Sequence, residues 1–279
     1  MQYSKIDYIK NYILQNRLFF VFLFSFFIIL FFLSFIFESY SNRLQNESFE
    51  EIQDYIVEIR EKDKDIHNNL NVQLVEKTVK GIDVSSWQGN IDWEKVKDTG
   101  IDFVIIRCGF RNLTNDEIHV DSKFHYNISE ANRVGIPVGV YFYSTAINEK
   151  EVLEEATFVL NLIKDYDIIY PVVYDFEMFN EKRTEGVSIK RINDNAIKFL
   201  DYIRAHGYIG MLYTNLSALN KYWNMELFEG FRVWYAQYID KSTYNGRYDM
   251  WQYADNGRVD GIMGSVDLNE SYIAYEVIN

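Results

Sequence analysis

The chain has 279 residues, 48% of them hydrophobic and 25% charged, with a formal net charge of −13. That length holds one large domain with accessories, and the acidic balance excludes a nucleic-acid partner held by phosphate neutralisation. A single cysteine, Cys108, excludes an internal disulfide, so an exported domain must be held by its core.

Residues 1–17 carry Lys5, Lys10 and Arg17 against Asp7. Leu18 to Phe37 then runs 20 residues without a charge, dominated by Phe, Leu and Ile. At 1.5 Å rise per residue this spans roughly 30 Å, the thickness of a bilayer core, so a transmembrane helix is expected over 18–37. The preceding cations favour a cytoplasmic N-terminus, and Glu38 follows directly, so the remainder is expected outside the cell. A cleavable signal would have a shorter apolar run followed by small residues; Phe37-Glu38-Ser39-Tyr40-Ser41 departs from that, and a retained single-pass anchor is expected. Residues 1–37 carry a net +2, leaving −15 on the exported part.

From residue 38 to 80 the composition turns to Glu, Lys, Asp, Asn and Gln. Phe49, Ile52, Tyr55, Ile56 and Ile59 recur at helical spacing, which suits a weakly amphipathic stalk between membrane and domain. A domain is expected over 81–279. Short apolar runs predict strands at Gly81 to Val84, Phe103 to Cys108, Val138 to Tyr143, Pro171 to Glu177, Gly210 to Thr214, Val233 to Tyr238, Met250 to Tyr253 and Val266 to Leu268. Helical patterns lie between the first five, at Trp93 to Lys97, Phe124 to Arg133, Lys150 to Asp165 and Ser188 to His206. Such alternation argues for a parallel sheet with crossover helices, and its length suits an α/β barrel better than an open sheet.

The fourth run, Tyr170-Pro171-Val172-Val173-Tyr174-Asp175-Phe176-Glu177, ends in two acids two residues apart, which a strand points to one side. Acids at strand ends often cap a helix or pair with a surface cation; barrel closure gives these another setting. Working sites of parallel barrels lie at the carboxyl ends of the strands. Asp83 on the first strand and Asp267 on the last would meet across the seam, so four carboxylates would line one pocket with Asp175 and Glu177. Like charges held close drive one pKa upward, giving a proton donor beside an anion, the pair that glycoside hydrolysis needs. Aromatic rings near the same ends, among them Tyr141, Tyr143, Tyr213 and Trp234, suit the C–H faces of sugars. Asn215, Gln237 and Gln252 could hydrogen-bond hydroxyl or acetamido groups. His67, His119, His125 and His206 are not spaced as zinc ligands, so no metal and no cofactor is expected, although four acids leave a hard-cation site open. Neither Gly-X-Ser-X-Gly nor Gly-X-Gly-X-X-Gly occurs. Cys108, Trp93 and Trp223 are expected to pack.

The chain resembles the glycoside hydrolase family 25 lysozymes, the N-acetylmuramidases of the Chalaropsis type. The resemblance is carried by Gly81-Ile82-Asp83-Val84-Ser85-Ser86-Trp87-Gln88-Gly89, Phe103 to Gly109, Gly135 to Tyr143, Asp175-Phe176-Glu177, Tyr213-Thr214-Asn215, Trp234 to Tyr238, Trp251-Gln252-Tyr253 and Gly261 to Asn269. It implies an irregular TIM-like barrel, with five β/α units followed by about three shorter antiparallel strands. It also implies hydrolysis of the β-1,4 bond between N-acetylmuramic acid and N-acetylglucosamine in peptidoglycan. Glu177 would be the general acid and Asp175 its partner, with Asp83 and Asp267 completing the pocket. Whether Asp175 orients the substrate's own acetamido group, attacks, or activates water is left open by the strand spacing. A chitinase-like hexosaminidase and a non-catalytic glycan-binding wall module are the competing readings; the presence of all four acids weighs against the latter.

Overall fold

A computed structural model of the chain describes residues 72–177 and 183–277. The expected N-terminus, anchor and most of the stalk, residues 1–71 with His67, lie outside the described residues. No helix among the described residues is long and apolar enough to cross a membrane.

In chain order the elements are β1 (Val72–Val84), α1 (Trp93–Asp98), β2 (Phe103–Arg111), β3 (Ile118–Val120), α2 (Phe124–Arg133), β4 (Val138–Ser144) and α3 (Glu149–Ile163). There follow β5 (Val172–Phe176), α4 (Ile189–Ala205), β6 (Gly210–Asn215), α5 (Leu216–Lys221), β7 (Arg232–Ala236), β8 (Met250–Gly257) and β9 (Val266–Val277). The strands pair in the order β1-β9-β8-β7-β6-β5-β4-β2-β3, and a further β1–β2 pairing closes eight of them into a barrel, with β3 a hairpin arm on β2.

Two expectations are corrected here. β1 starts at Val72 and pairs antiparallel with β9 from Val72↔Val277 to Asp83↔Asp267, so residues 72–80 belong to the barrel sheet and not to a stalk. The closing strands are neither uniformly short nor uniformly antiparallel. β7 pairs parallel with β6 and β8 parallel with β7; only β9 runs against its neighbours, and it has 12 residues. An antiparallel pair needs only a hairpin-like connection, which is why no crossover helix lies between β8 and β9.

Helices cover the outer face where they exist. In α4, Ile192, Ala196, Phe199, Leu200 and Ile203 are buried, the stripe an amphipathic helix lays against a sheet. Its start is capped by Ser188, whose hydroxyl accepts from Arg191 N at 3.2 Å, as Asn148 caps α3 from Glu151 N at 3.1 Å. Between β7 and β8 no helix forms, and the crossover instead lays Tyr244 and Tyr248 onto Tyr235, with ring centroids 4.9 and 5.5 Å apart. Trp93 and Trp223 are buried, as is Cys108, whose thiol donates to the Tyr141 carbonyl at 3.2 Å and is pushed up in pKa by burial.

The barrel interior is filled in layers. Phe103, Tyr170 and Tyr275 close the bottom, Phe103 stacking on Tyr170 at 4.5 Å and Tyr170 meeting Tyr275 at 4.7 Å. The Phe103 ring has room because residue 81 is glycine: a Cβ there would lie 2.3 Å from the ring. Ile105, Val173, Met211, Trp234 and Met250 form the middle of this inner cluster. The period of two in each strand then turns Asp83, Tyr141, Asp175, Tyr213, Gln252 and Asn269 toward the same interior at the next level up.

Candidate active site

Four acids meet at the upper mouth of the barrel. Asp83 stands near the end of β1 directly opposite Asp267 in β9, and Asp175 lies in β5 with Glu177 just beyond its end. Asp83 and Asp175 are each 6% exposed, Glu177 and Asp267 half-buried. Side chains of directly opposed antiparallel residues sit about 5 Å apart at Cβ, so Asp83 and Asp267 are too close to be two independent anions.

Amides and rings organise that pair. Asn269 Nδ2 donates to Asp83 Oδ2 at 2.8 Å, and Gln252 Nε2 donates to Asp83 Oδ2 at 2.9 Å and to Asp267 Oδ2 at 3.2 Å. Gln252 Oε1 accepts from the hydroxyls of Tyr213 and Tyr238, both at 3.1 Å, and Asn269 Oδ1 accepts from the Trp234 indole at 2.9 Å. Each amide is thereby held with its N–H groups toward the acids. Burial raises Asp83 well above the carboxylate range, and the nearby Asp267 raises it further; the pair is best described as sharing a proton.

Asp175 and Glu177 form the second pair. Asp175 is raised well above its ordinary value, first by burial, then by Glu177 and Asp83, while the Arg107 guanidinium acts in the opposite direction. Burial brings Glu177 up to about 7. Both carboxyls of the pair are thus lifted, and the two are too close to ionise independently, so together they hold a proton near neutral pH. Asp175 Oδ1 is buried and has no hydrogen-bond partner among the described residues.

The remaining predicted residues divide by accessibility. Tyr143, the penultimate residue of β4, pairs with Asp175 in register and lines a groove with Trp87 and Phe110. Tyr213, Trp234 and Gln252 are 8%, 2% and 3% exposed with their polar atoms engaged as above, so they support the acids from below and present no face to a sugar. Tyr141 packs edge-on to Trp234 at 6.3 Å in the same layer. Asn215 Oδ1 accepts from Ala218 N at 3.0 Å and caps α5. Gln237 ties down the β7–β8 crossover, donating to Thr243 Oγ1 at 2.8 Å and accepting from Thr243 N at 3.0 Å.

Sequence reasoning missed Asn269, Tyr238, Arg107 and Asp121. Asn269 was within reach, since it lies two residues after Asp267 and so shares its face. Tyr238 had no local signal, because it reaches Gln252 from beyond the end of β7. Arg107 is held by Asp121, its Nε 2.7 Å from Oδ2, and by Ser86 Oγ at 3.0 Å, contacts across three separate segments.

A closed β/α barrel with paired carboxylates at its mouth is the frame of a glycoside hydrolase. Residues 82–262 match Glycosyl hydrolases family 25, and the chain belongs to that family. It is 31% identical over 193 residues to the autolytic lysozyme of Clostridium acetobutylicum, covering 69% of this chain and 55% of that protein. The modular autolysin LytC from Streptococcus pneumoniae, solved in complex with a synthetic peptidoglycan ligand, superposes with a TM-score of 0.61 at 30% identity, over 72% of this chain and 47% of LytC. A family 25 glycosyl hydrolase from Bacillus anthracis shares the fold at 22% identity and a TM-score of 0.60, over 70% of this chain and 88% of that one. The chain thus spans about half the length of the autolytic lysozyme and of LytC.

Proposed function

We propose that the chain hydrolyses the β-1,4 bond between N-acetylmuramic acid and N-acetylglucosamine in peptidoglycan. The observation that carries this reading is the cluster of four carboxyls at one barrel mouth, in which Glu177, just beyond the end of β5, is lifted by burial to about 7 and holds a proton to give beside Asp175. Glu177 protonates the leaving glycosidic oxygen as the bond to the anomeric carbon breaks. Asp175 faces the positive charge that develops. The part of its carboxyl that remains exposed suits the N–H of the substrate's 2-acetamido group, whose carbonyl oxygen would then be held against the anomeric carbon as the internal nucleophile. Asp83 and Asp267, sharing a proton under Gln252 and Asn269, hold the floor of the site in one arrangement.

The test is digestion of purified peptidoglycan with mass spectrometry of the new reducing ends. Muramic acid ends are expected, and Glu177→Gln should slow release by about 10²–10⁴-fold, the usual contribution of a general acid. Glucosamine ends, or digestion by the variant at the parent rate, would overturn the assignment.

The N-terminal segment supports a second part of the proposal. The uncharged run from Leu18 to Phe37, preceded by Lys5, Lys10 and Arg17, makes the chain a single-pass membrane protein with the hydrolase domain on the outer side. Tethering then raises the enzyme's local concentration at the wall.

A further inference from the structure

Of the four acids at the mouth, Glu177 alone lies outside a strand pairing. β5 pairs with β6 only from Val172 to Tyr174 and with β4 as far as Phe176, so Glu177 stands beyond both ladders. Asp83 and Asp267 face each other within the β1–β9 ladder, and Asp175 is paired with Tyr143. A contact from outside the sheet must therefore fix the point at which Glu177 leaves the strand.

Tyr222 supplies that contact. Its hydroxyl donates to the Phe176 carbonyl oxygen at 3.1 Å, in a buried position. The atoms from the Cα of Phe176 through its carbonyl to the nitrogen and Cα of Glu177 lie in one plane. A hydrogen bond on this carbonyl restrains the plane, and with it where the Cα of Glu177 stands and which way its side chain leaves. The Phe176 ring is boxed on the same side, edge-on to Tyr222 at 5.9 Å and to Trp223 at 6.2 Å.

Tyr222 is itself placed by the outer layer. Asn215, at the end of β6, caps α5, and Tyr222 closes that helix with its N–H on Ala218 O at 3.0 Å. Asn193 of α4, 1% exposed, donates to the Tyr222 carbonyl at 2.7 Å and to the Ile189 carbonyl at 2.8 Å, and accepts from Asn224 N at 2.9 Å. A buried amide engaged through both its oxygen and its nitrogen specifies one arrangement of the segment on which Tyr222 sits.

We propose that Tyr222 is a positioning residue for the general acid, holding the Phe176–Glu177 peptide so that the Glu177 carboxyl meets the glycosidic oxygen. This rests on the reading of Glu177 as the proton donor. Tyr222 works from the outer side of β5, where its hydroxyl is engaged by a backbone carbonyl, and it reaches the chemistry only through Glu177. Without the hydroxyl a buried carbonyl loses its partner, and the strand end turns to recover one, carrying the carboxyl toward water.

The test compares the full chain, held in detergent, with its Tyr222→Phe variant, which keeps the ring and removes one hydroxyl. On peptide-stripped glycan strands kcat should fall about tenfold with KM within about twofold of the parent, because the loss lies in alignment and not in binding. The alkaline limb of the kcat/KM profile should also move toward acid by on the order of half a pH unit, because a better hydrated Glu177 gives up its proton more easily. Ile203→Val, a methyl group trimmed near the far end of α4, should lower thermal stability and leave that limb in place, which separates alignment from loss of fold. An unchanged kcat in Tyr222→Phe, or a loss of kcat with the limb unmoved, overturns the assignment. A second arm needs no turnover. In protein carrying carbon-13 at the glutamate carboxyls, the Glu177 signal, identified by its absence from Glu177→Gln, should titrate on the order of half a unit lower in Tyr222→Phe. If the parent cuts no glycan the catalytic reading fails, and this titration alone decides whether Tyr222 places Glu177; equal midpoints overturn that placement.

Discussion

Glu177 and Asp175 show how far surroundings move a carboxyl from its ordinary value. Glu177 is a carboxyl lifted by burial to about 7 from an ordinary 4.5. As a proton donor it must be protonated in the free enzyme, so kcat/KM should fall tenfold per pH unit above about pH 7, which a pH–rate profile on soluble glycan measures. The same shift bears on stability. The folded state holds this proton up to about pH 7 whereas the unfolded chain releases it near 4.5, so stability declines as pH rises through that window. Glu177→Gln should therefore leave stability near pH 4 unchanged and raise it at pH 8 by about 3 kcal/mol, read from denaturant midpoints at the two pH values. Glu155 shifts in the same direction, raised to about 7 by burial in spite of Arg111 at 2.7 Å, and reinforces the trend. The acids themselves were legible in the sequence, because strand alternation alone puts Asp175 and Glu177 on one side. Their division of labour came only with the family resemblance, and the surroundings of each carboxyl, Arg107 from another strand among them, were not legible in spacing.

Elements were legible wherever hydrophobic periodicity was strong. The patterns for α2 and α4 and the apolar runs of β2, β4, β5 and β6 matched the observed segments closely, since each is a repeated local choice of apolar residue. The strands underestimated most, β1 and β9, lengthen each other: Val75 pairs with Ala274 and Val79 with Ser271, and neither run looks strand-like without its partner. The β2 bulge is also a pairing event, decided by Phe142 and Tyr143 opposite it. One element-scale prediction concerns the bottom layer. Gly81→Ala would drive a methyl into the Phe103 ring, which Tyr170 holds from the other side, so unfolding free energy should drop by about 1–3 kcal/mol in a urea titration. A neutral outcome would mean that the aromatic floor is looser than its 4.5 Å stack implies.

At the scale of the whole molecule the chain carries, beside a barrel that closes on itself, the uncharged run from Leu18 to Phe37 on which the proposed tether rests. A version lacking residues 1–40 should cut purified, soluble glycan at the parent rate but clear intact walls of the producing cell less efficiently, because the first assay depends on the barrel and the second on location. Equal clearance by both forms would overturn the proposed tethering.

The sequence by itself determined the α/β class, the strands and helices with strong periodicity, the acids on their strand faces and the family resemblance, because all of these are written in local spacing. Only the tertiary structure decided which of the predicted residues touch solvent. Closure placed Trp234, Tyr213 and Gln252 beneath the acids as supports, turned Asn215 and Gln237 to local structure, and left Trp87 exposed at the edge of a groove. Burial, hydrogen-bond partners and the field at a carboxyl are sums over neighbours distant in the chain, and no spacing rule contains them.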